Sequence, residues 1–162
     1  MKILHRPVGQ LGTNCFLLID EETNCAALID PGDNAAQLAD FIREIMAAEG
    51  VSKVNIIAHS KGGLDSRYMI DHLGMAGHVA SLTFLSTPHK GSKLATNLYR
   101  LPRIIKYPIA CYLHTAYRIF GDKNPEVLKV CEQLRYAPDG ALETLNLTLP
   151  DATYEDIFMQ SY

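Results

Sequence analysis

One stretch constrains the fold of this chain more than any other: KVNIIAHSKGGLDSRY, residues 53–68. It opens as a short, near-continuous apolar run, as expected of a parallel strand covered on both faces. It then breaks at His-Ser-Lys-Gly-Gly and continues as a helix over GGLDSRYMIDHLG, before VASLTFLS supplies the next buried strand. Upstream, NAAQLADFIREIMAAEG sets Leu38, Phe41, Ile42, Ile45 and Met46 on one face at helical spacing. Asp33 is placed to cap that helix and Gly50 to end it. Alternating strands and helices predict an α/β layer with parallel strands, covering helices and right-handed crossovers.

Two flanking regions differ from this alternation. MKILHRPV and NCFLLID read as strands, and NCAALID pairs back across the acidic turn DEETN as an N-terminal β-hairpin. The turn places Cys25 opposite Asp20, roughly 16 Å along the strand from Cys15. That is too far for a disulfide. The four cysteines, Cys15, Cys25, Cys111 and Cys131, form no C-x-x-C pair, so free thiols are expected. From about Ser92 the chain turns helical: KLATNLYRL, then PRIIKYPIACYLHTAYRIFG interrupted by Pro108, then NPEVLKVCEQLRY. GALETLNLTL predicts a further helix and ATYEDIFMQSY a terminal strand.

Composition excludes several function classes. With 162 residues and 48% hydrophobic content, the chain can bury a core. A net charge of -3 with no basic stripe gives no nucleic-acid footprint. No run of 18 apolar residues crosses a membrane. MKILHRPVGQLG has no export-signal pattern, so the expected location is cytoplasmic. The six histidines include no H-x-H or H-x-x-x-H pair, so a zinc site is disfavoured, and acyl transfer through a serine would need no cofactor.

The chemistry concentrates in AHSKG, the pattern G-x-S-x-G with Ala58 in place of the first glycine. A serine at a strained strand-to-helix corner has neighbouring chain very close by. Positions two before and two after it therefore need small residues, and Ala58 and Gly62 meet that need. Ser60 would serve as nucleophile, with His59 and Gly63 completing the turn. The Lys61 backbone N–H, at the amino end of the helix, would stabilise an oxyanion.

VNIIAHSKGGLDSRY followed by VASLTFLSTPHKGS resembles the bacterial triacylglycerol lipases of the α/β-hydrolase superfamily, from about residue 33 onward. The resemblance implies an incomplete α/β-hydrolase core over 33–162 that acts on carboxylic esters or lipids. Residues 94–120 would form a lid, with Ile104, Ile105, Tyr107, Ile109, Tyr112 and Leu113 facing substrate or a lipid interface. Residues 1–32, with LGTNC and IDPG, resemble instead the opening hairpin of metallo-β-lactamase-fold hydrolases of the glyoxalase II type. That family would next show H-x-H-x-D-H, whereas this chain reads HSKGGLD. The two patterns join near residues 31–36.

The lipase pattern is not complete. No residue matches the family's catalytic acid or base, and no HG-type loop supplies a second oxyanion donor. Asp139, Asp151 and Asp156 lie downstream of Ser60 in no matching motif. His89, in TPHKGS, is the best-placed substitute base. Weak or absent turnover by this chain alone is therefore expected. Two alternatives stand beside this reading: a metal-dependent hydrolase of the metallo-β-lactamase fold, and a non-catalytic module that self-associates through exposed sheet edges.

Overall fold

The computed structural model describes residues 1–8, 13–32, 34–119, 127–137, 145 and 156–162. The chain divides into two compact units, Met1–Thr87 with Leu149–Tyr162, and Pro88–Thr148.

The first unit is built on a six-stranded mixed sheet in the order β1-β2-β3-β4-β5-β6. Strands β1 (Lys2–Val8), β2 (Thr13–Asp20) and β3 (Cys25–Ile29) form an antiparallel meander. Asp20 lies opposite Cys25, the register expected from the turn, and both cysteines of the hairpin are free. From β3 onward the pairing is parallel, through β4 (Val54–His59) and β5 (Val79–Leu85) to β6 (Phe158–Ser161). One sheet thus runs across residues 31–36, where the two sequence patterns meet. The terminal strand predicted from ATYEDIFMQSY is β6.

Helices α1 (Ala35–Glu49) and α2 (Lys61–His72) are the crossovers between the parallel strands and pack against each other. Alternate strand residues Leu17, Ile19, Leu28, Ile56 and Leu82 are buried in one core with Leu38 and Ile42 of α1 and Met69 and Ile70 of α2. The expected apolar face of α1 is observed, with Met46 only half-buried at its margin. The cap is a correction. Helix α1 starts one residue later than expected, so Asn34 is the N-cap and its side chain accepts from the Gln37 N–H at 3.0 Å. Asp33 lies outside the described residues.

The second unit contains α3 (Lys93–Arg100), α4 (Arg103–Ile119) and α5 (Val127–Leu134), with α5 packed on both α3 and α4. Ser92 caps α3 through Ala95 N–H, and the Thr96 hydroxyl accepts from Tyr136 N–H at 2.9 Å. Pro108 does not interrupt α4, contrary to expectation; the helix runs through it. The ring removes one backbone bond to the carbonyl four residues earlier. That carbonyl belongs to Ile104, and both residues lie on the exposed side, where water can serve it. The helix predicted over GALETLNLTL falls, except for Leu145, outside the described residues. Among the described residues no helix is long and apolar enough to cross a membrane.

Candidate active site

The end of β4 carries Ser60 in a backbone conformation that side chains other than glycine rarely adopt, with φ 51° and ψ -123°. Such a residue stores on the order of 1–3 kcal/mol of strain and persists only where its surroundings impose it. Those surroundings are visible. The Ser60 N–H donates to the Leu85 carbonyl at 2.9 Å, which ties the corner to the end of β5. Its carbonyl accepts from Gly63 N–H at 3.2 Å, which closes the first turn of α2.

The small residues around Ser60 have specific neighbours. A Cβ on Gly62 would lie 2.2 Å from the Pro31 carbonyl oxygen, so the loop after β3 presses directly on the turn. A Cβ on Gly63 would lie 2.2 Å from Thr87 Oγ1 and 2.9 Å from a ring carbon of Phe84. Ala58 is fully buried, within 4.0 Å of the place where a Gly62 Cβ would sit. The buried Ser66 hydroxyl donates to the Gly62 carbonyl at 2.8 Å and secures the same turn. The Lys61 ammonium is held along α2 by both Asp65 carboxylate oxygens, at 2.8 and 3.0 Å. Its backbone N–H belongs to the first turn of α2, where amide groups have no intrahelical acceptor. His59 is exposed at the end of β4, on the opposite side of the strand from Ala58.

The arrangement at Ser60 is repeated on both sides. Asp30, after β3, has φ 55° and donates its N–H to the Ile57 carbonyl at 2.9 Å. Ser86, after β5, has φ 51° and donates to the Tyr162 carbonyl at 2.9 Å. Three successive parallel strands therefore run into a strained polar residue whose N–H is taken by the next strand or, for Ser86, by Tyr162 directly after β6. These ends lie at the carboxyl edge of the sheet, where open α/β folds bind ligands. Sequence reasoning missed Asp30 and Ser86, although the signal was present: each ends an apolar run with a polar residue, as LID and FLS. Thr87 Oγ1 is buried, and among the described residues no hydrogen-bond partner reaches it.

Beside this edge, the Cys15 thiol is pushed up to about 12, by burial first and by the nearby Asp30 carboxylate second. It is a neutral packing group rather than a nucleophile. Among the described residues no cluster of three or more His, Cys, Asp or Glu side chains could hold a metal ion.

The remaining predicted residues belong to the second unit. His89 is half-buried in a tight turn closed by Gly91 N–H to the Pro88 carbonyl at 2.9 Å. Ser92 N–H then donates to the Leu134 carbonyl at 2.8 Å, which anchors the turn beside the end of α5. On α4, Ile104, Ile105, Tyr107, Ile109 and Tyr112 are exposed and Leu113 is half-buried.

Comparison with known proteins bears on the fold. A family described as a domain of unknown function, DUF7379, matches residues 26–144. A triacylglycerol lipase of Pseudarthrobacter phenanthrenivorans is 46% identical over 59 residues, which is 36% of this chain and 18% of that protein. The mature form of the Bacillus licheniformis lipase BlEst2 superimposes with a TM-score of 0.57 at 27% identity, covering 86% of this chain and 53% of that one. The Legionella pneumophila phospholipase PlaB shares the fold, with a TM-score of 0.54 at 19% identity over 82% of this chain and 28% of that one. The chain thus spans less than a fifth of that curated lipase and about half of the solved one. It is a lipase-like segment of the α/β-hydrolase fold, opened by an antiparallel hairpin.

Proposed function

The chain belongs to the DUF7379 family; from its lipase-like fold and the Ser60 corner we propose that it is a serine-dependent carboxylic ester hydrolase with Ser60 as its nucleophile. The observation that carries the reading is the strained backbone of Ser60 between an apolar parallel strand and the amino end of α2. Ser60 Oγ attacks the ester carbonyl carbon and gives its proton to a base. The Lys61 backbone N–H stabilises the resulting oxyanion, the protonated base returns the proton to the departing alcohol as the C–O bond breaks, and an acyl-enzyme remains. Water then attacks the acyl carbon and releases the acid. In this reading His89 is the candidate base and the segment 94–120 the candidate lid. The identity of 46% with a triacylglycerol lipase supports an ester or lipid substrate.

Turnover is slow in this reading, because no described residue is assigned the acid's role and one oxyanion donor is assigned. Loss of one such donor costs about 10²–10³ in kcat. The test is therefore single-turnover chemistry. A fluorophosphonate should label the chain once, at Ser60, with hydrolysis of a short p-nitrophenyl ester above background. Ser60→Ala should abolish both. Labelling elsewhere, or equal ester hydrolysis by the two proteins, overturns the proposal.

A further inference from the structure

The sheet of the first unit is covered on one side. Lys2 and Arg6 of β1 pair with Glu49 and Glu44 of α1, which sets that helix on their face of the sheet. Met69 and Ile70 of α2 share a core with Leu17, Ile56 and Leu82, and Lys2 lies beside Ile19 of that core, so α2 is on the same face. Successive residues of a strand point to opposite faces. Ile3, Leu18, Ala27, Asn55, Ser81 and Phe158 are cross-strand neighbours in one unbroken row and point the other way. Among the described residues no helix of the first unit covers that second face. Ile3, Phe16, Leu85 and Phe158 on it are exposed by 57%, 39%, 38% and 66%, and the central Ile29 and Ile57 are half-buried. Parallel strands ordinarily meet a second layer there.

The chemistry of this face suits a copy of itself. Its polar side chains already answer one another. Ser81 Oγ donates to Asn55 Oδ1 at 2.7 Å, Asn55 Nδ2 to the Ala26 carbonyl at 3.2 Å, and Gln160 Nε2 to Thr83 Oγ1 at 2.9 Å. Drying these groups therefore orphans few of them. Along the described strands the face carries one formal charge, Asp20 at its margin, which accepts from the Glu22 N–H and the Thr23 hydroxyl of its own turn. A charged partner finds no complement here, and two copies meet no like-charge repulsion. Six strands of four to eight residues span roughly 30 Å by 20 Å. Stacking two such faces removes on the order of 1,200 Å² from water, the size at which stable interfaces begin. Ile3 and Phe158 stand at the two ends of one row. A two-fold axis along the strands lays β1 of one copy over β6 of the other, so each Ile3 meets the partner's Phe158.

We infer that the open face of the sheet is a homodimer interface, in which two copies stack face to face about a two-fold axis along the strands. The inference is independent of the ester-hydrolase reading, since stacking does not require Ser60. It also differs from association through sheet edges, which would use the free backbone groups of β1 or β6. Sedimentation velocity of the full chain should show a concentration-dependent dimer, with a Kd on the order of micromolar for an interface of this size. Phe16→Asp puts a charge inside the dried face and should raise that Kd by about tenfold or more, with the circular dichroism spectrum unchanged. Strand β2 is paired on both sides, so edge-to-edge association would survive the same change. In Ile3→Cys with Phe158→Cys, the two new thiols of one chain stand about 24 Å apart across five strand spacings, too far for an intrachain bond. Mild oxidation should link two chains faster in this pair than in either single variant or in the parent chain, whose exposed Cys25 and Cys111 set the background. Should Phe16→Asp misfold, the cysteine pair still decides. A monomer at every concentration, a dimer unmoved by folded Phe16→Asp, or cross-linking no faster in the pair than in the single variants overturns the inference.

Discussion

Gly62→Ala tests how tightly the Ser60 corner is enclosed. The added methyl would lie 2.2 Å from the Pro31 carbonyl oxygen, about 1 Å inside ordinary contact, and the obstacle is backbone rather than a side chain that can rotate away. Either the loop after β3 or the first turn of α2 must move. Overpacking of this kind costs about 1–3 kcal/mol, and a buried backbone obstacle argues for the top of that range. Replacing glycine by alanine within a helix returns about 1 kcal/mol. The expected net loss is on the order of 2 kcal/mol, a fall in Tm of roughly 4–8 °C for a chain of this size. Gly77→Ala is the control, because nothing lies within 4 Å of the methyl it would add and its φ is ordinary. It should leave Tm unchanged or raise it slightly. Thermal melts by circular dichroism compare the two. Phosphonate labelling should slow by about 10–100-fold in Gly62→Ala, since a displacement near 1 Å at the nucleophile is costly. Equal Tm values for Gly62→Ala and Gly77→Ala would refute the close approach of Pro31 and, with it, the enclosure argument for Ser60.

Two further outcomes are expected. Thr87→Val replaces a buried hydroxyl that no described partner satisfies with a methyl of similar size, so Tm should stay level or rise; a loss above about 1 kcal/mol in chemical denaturation would reveal a structural bond to that oxygen. Cys15 titrates at about 12 when folded against 9.0 as the ordinary value, so the native state keeps its proton where the unfolded chain releases it. The stability due to the buried neutral thiol is complete below pH 9.0 and declines as pH rises toward 12, at no more than about 1.4 kcal/mol per pH unit. Denaturation midpoints of Cys15→Ala should lack that alkaline slope relative to the parent chain, and an identical slope would show that Cys15 does not produce it.

Local and periodic features of this protein were legible in its sequence. The apolar run over β4, the four-residue turn that pairs Asp20 with Cys25 and the helical face of α1 depend on neighbours a few residues away. The need for small residues around Ser60 was readable for the same reason: a strand that turns sharply into a helix leaves little room beside the corner. The same local reasoning misplaced the cap of α1 by one residue and broke α4 at Pro108. Neither error could be seen from spacing alone. A helix's first residue depends on where the preceding loop delivers the chain, and a proline's cost depends on whether the carbonyl it orphans faces water.

Tertiary structure decided what surrounds the serine. Pro31 lies far from Gly62 in sequence, yet its carbonyl oxygen stands 2.2 Å from where a side chain at that glycine would begin. Asp30, Ser60 and Ser86 form one polar edge only because β3, β4, β5 and β6 align in parallel and each passes an N–H to the next. The apolar side of α4 likewise became an outward face only once Ala110 and Lys106 had turned inward. Sequence determines periodicity because side-chain direction repeats along a helix or strand; which periodic face meets which partner is settled by packing between distant segments.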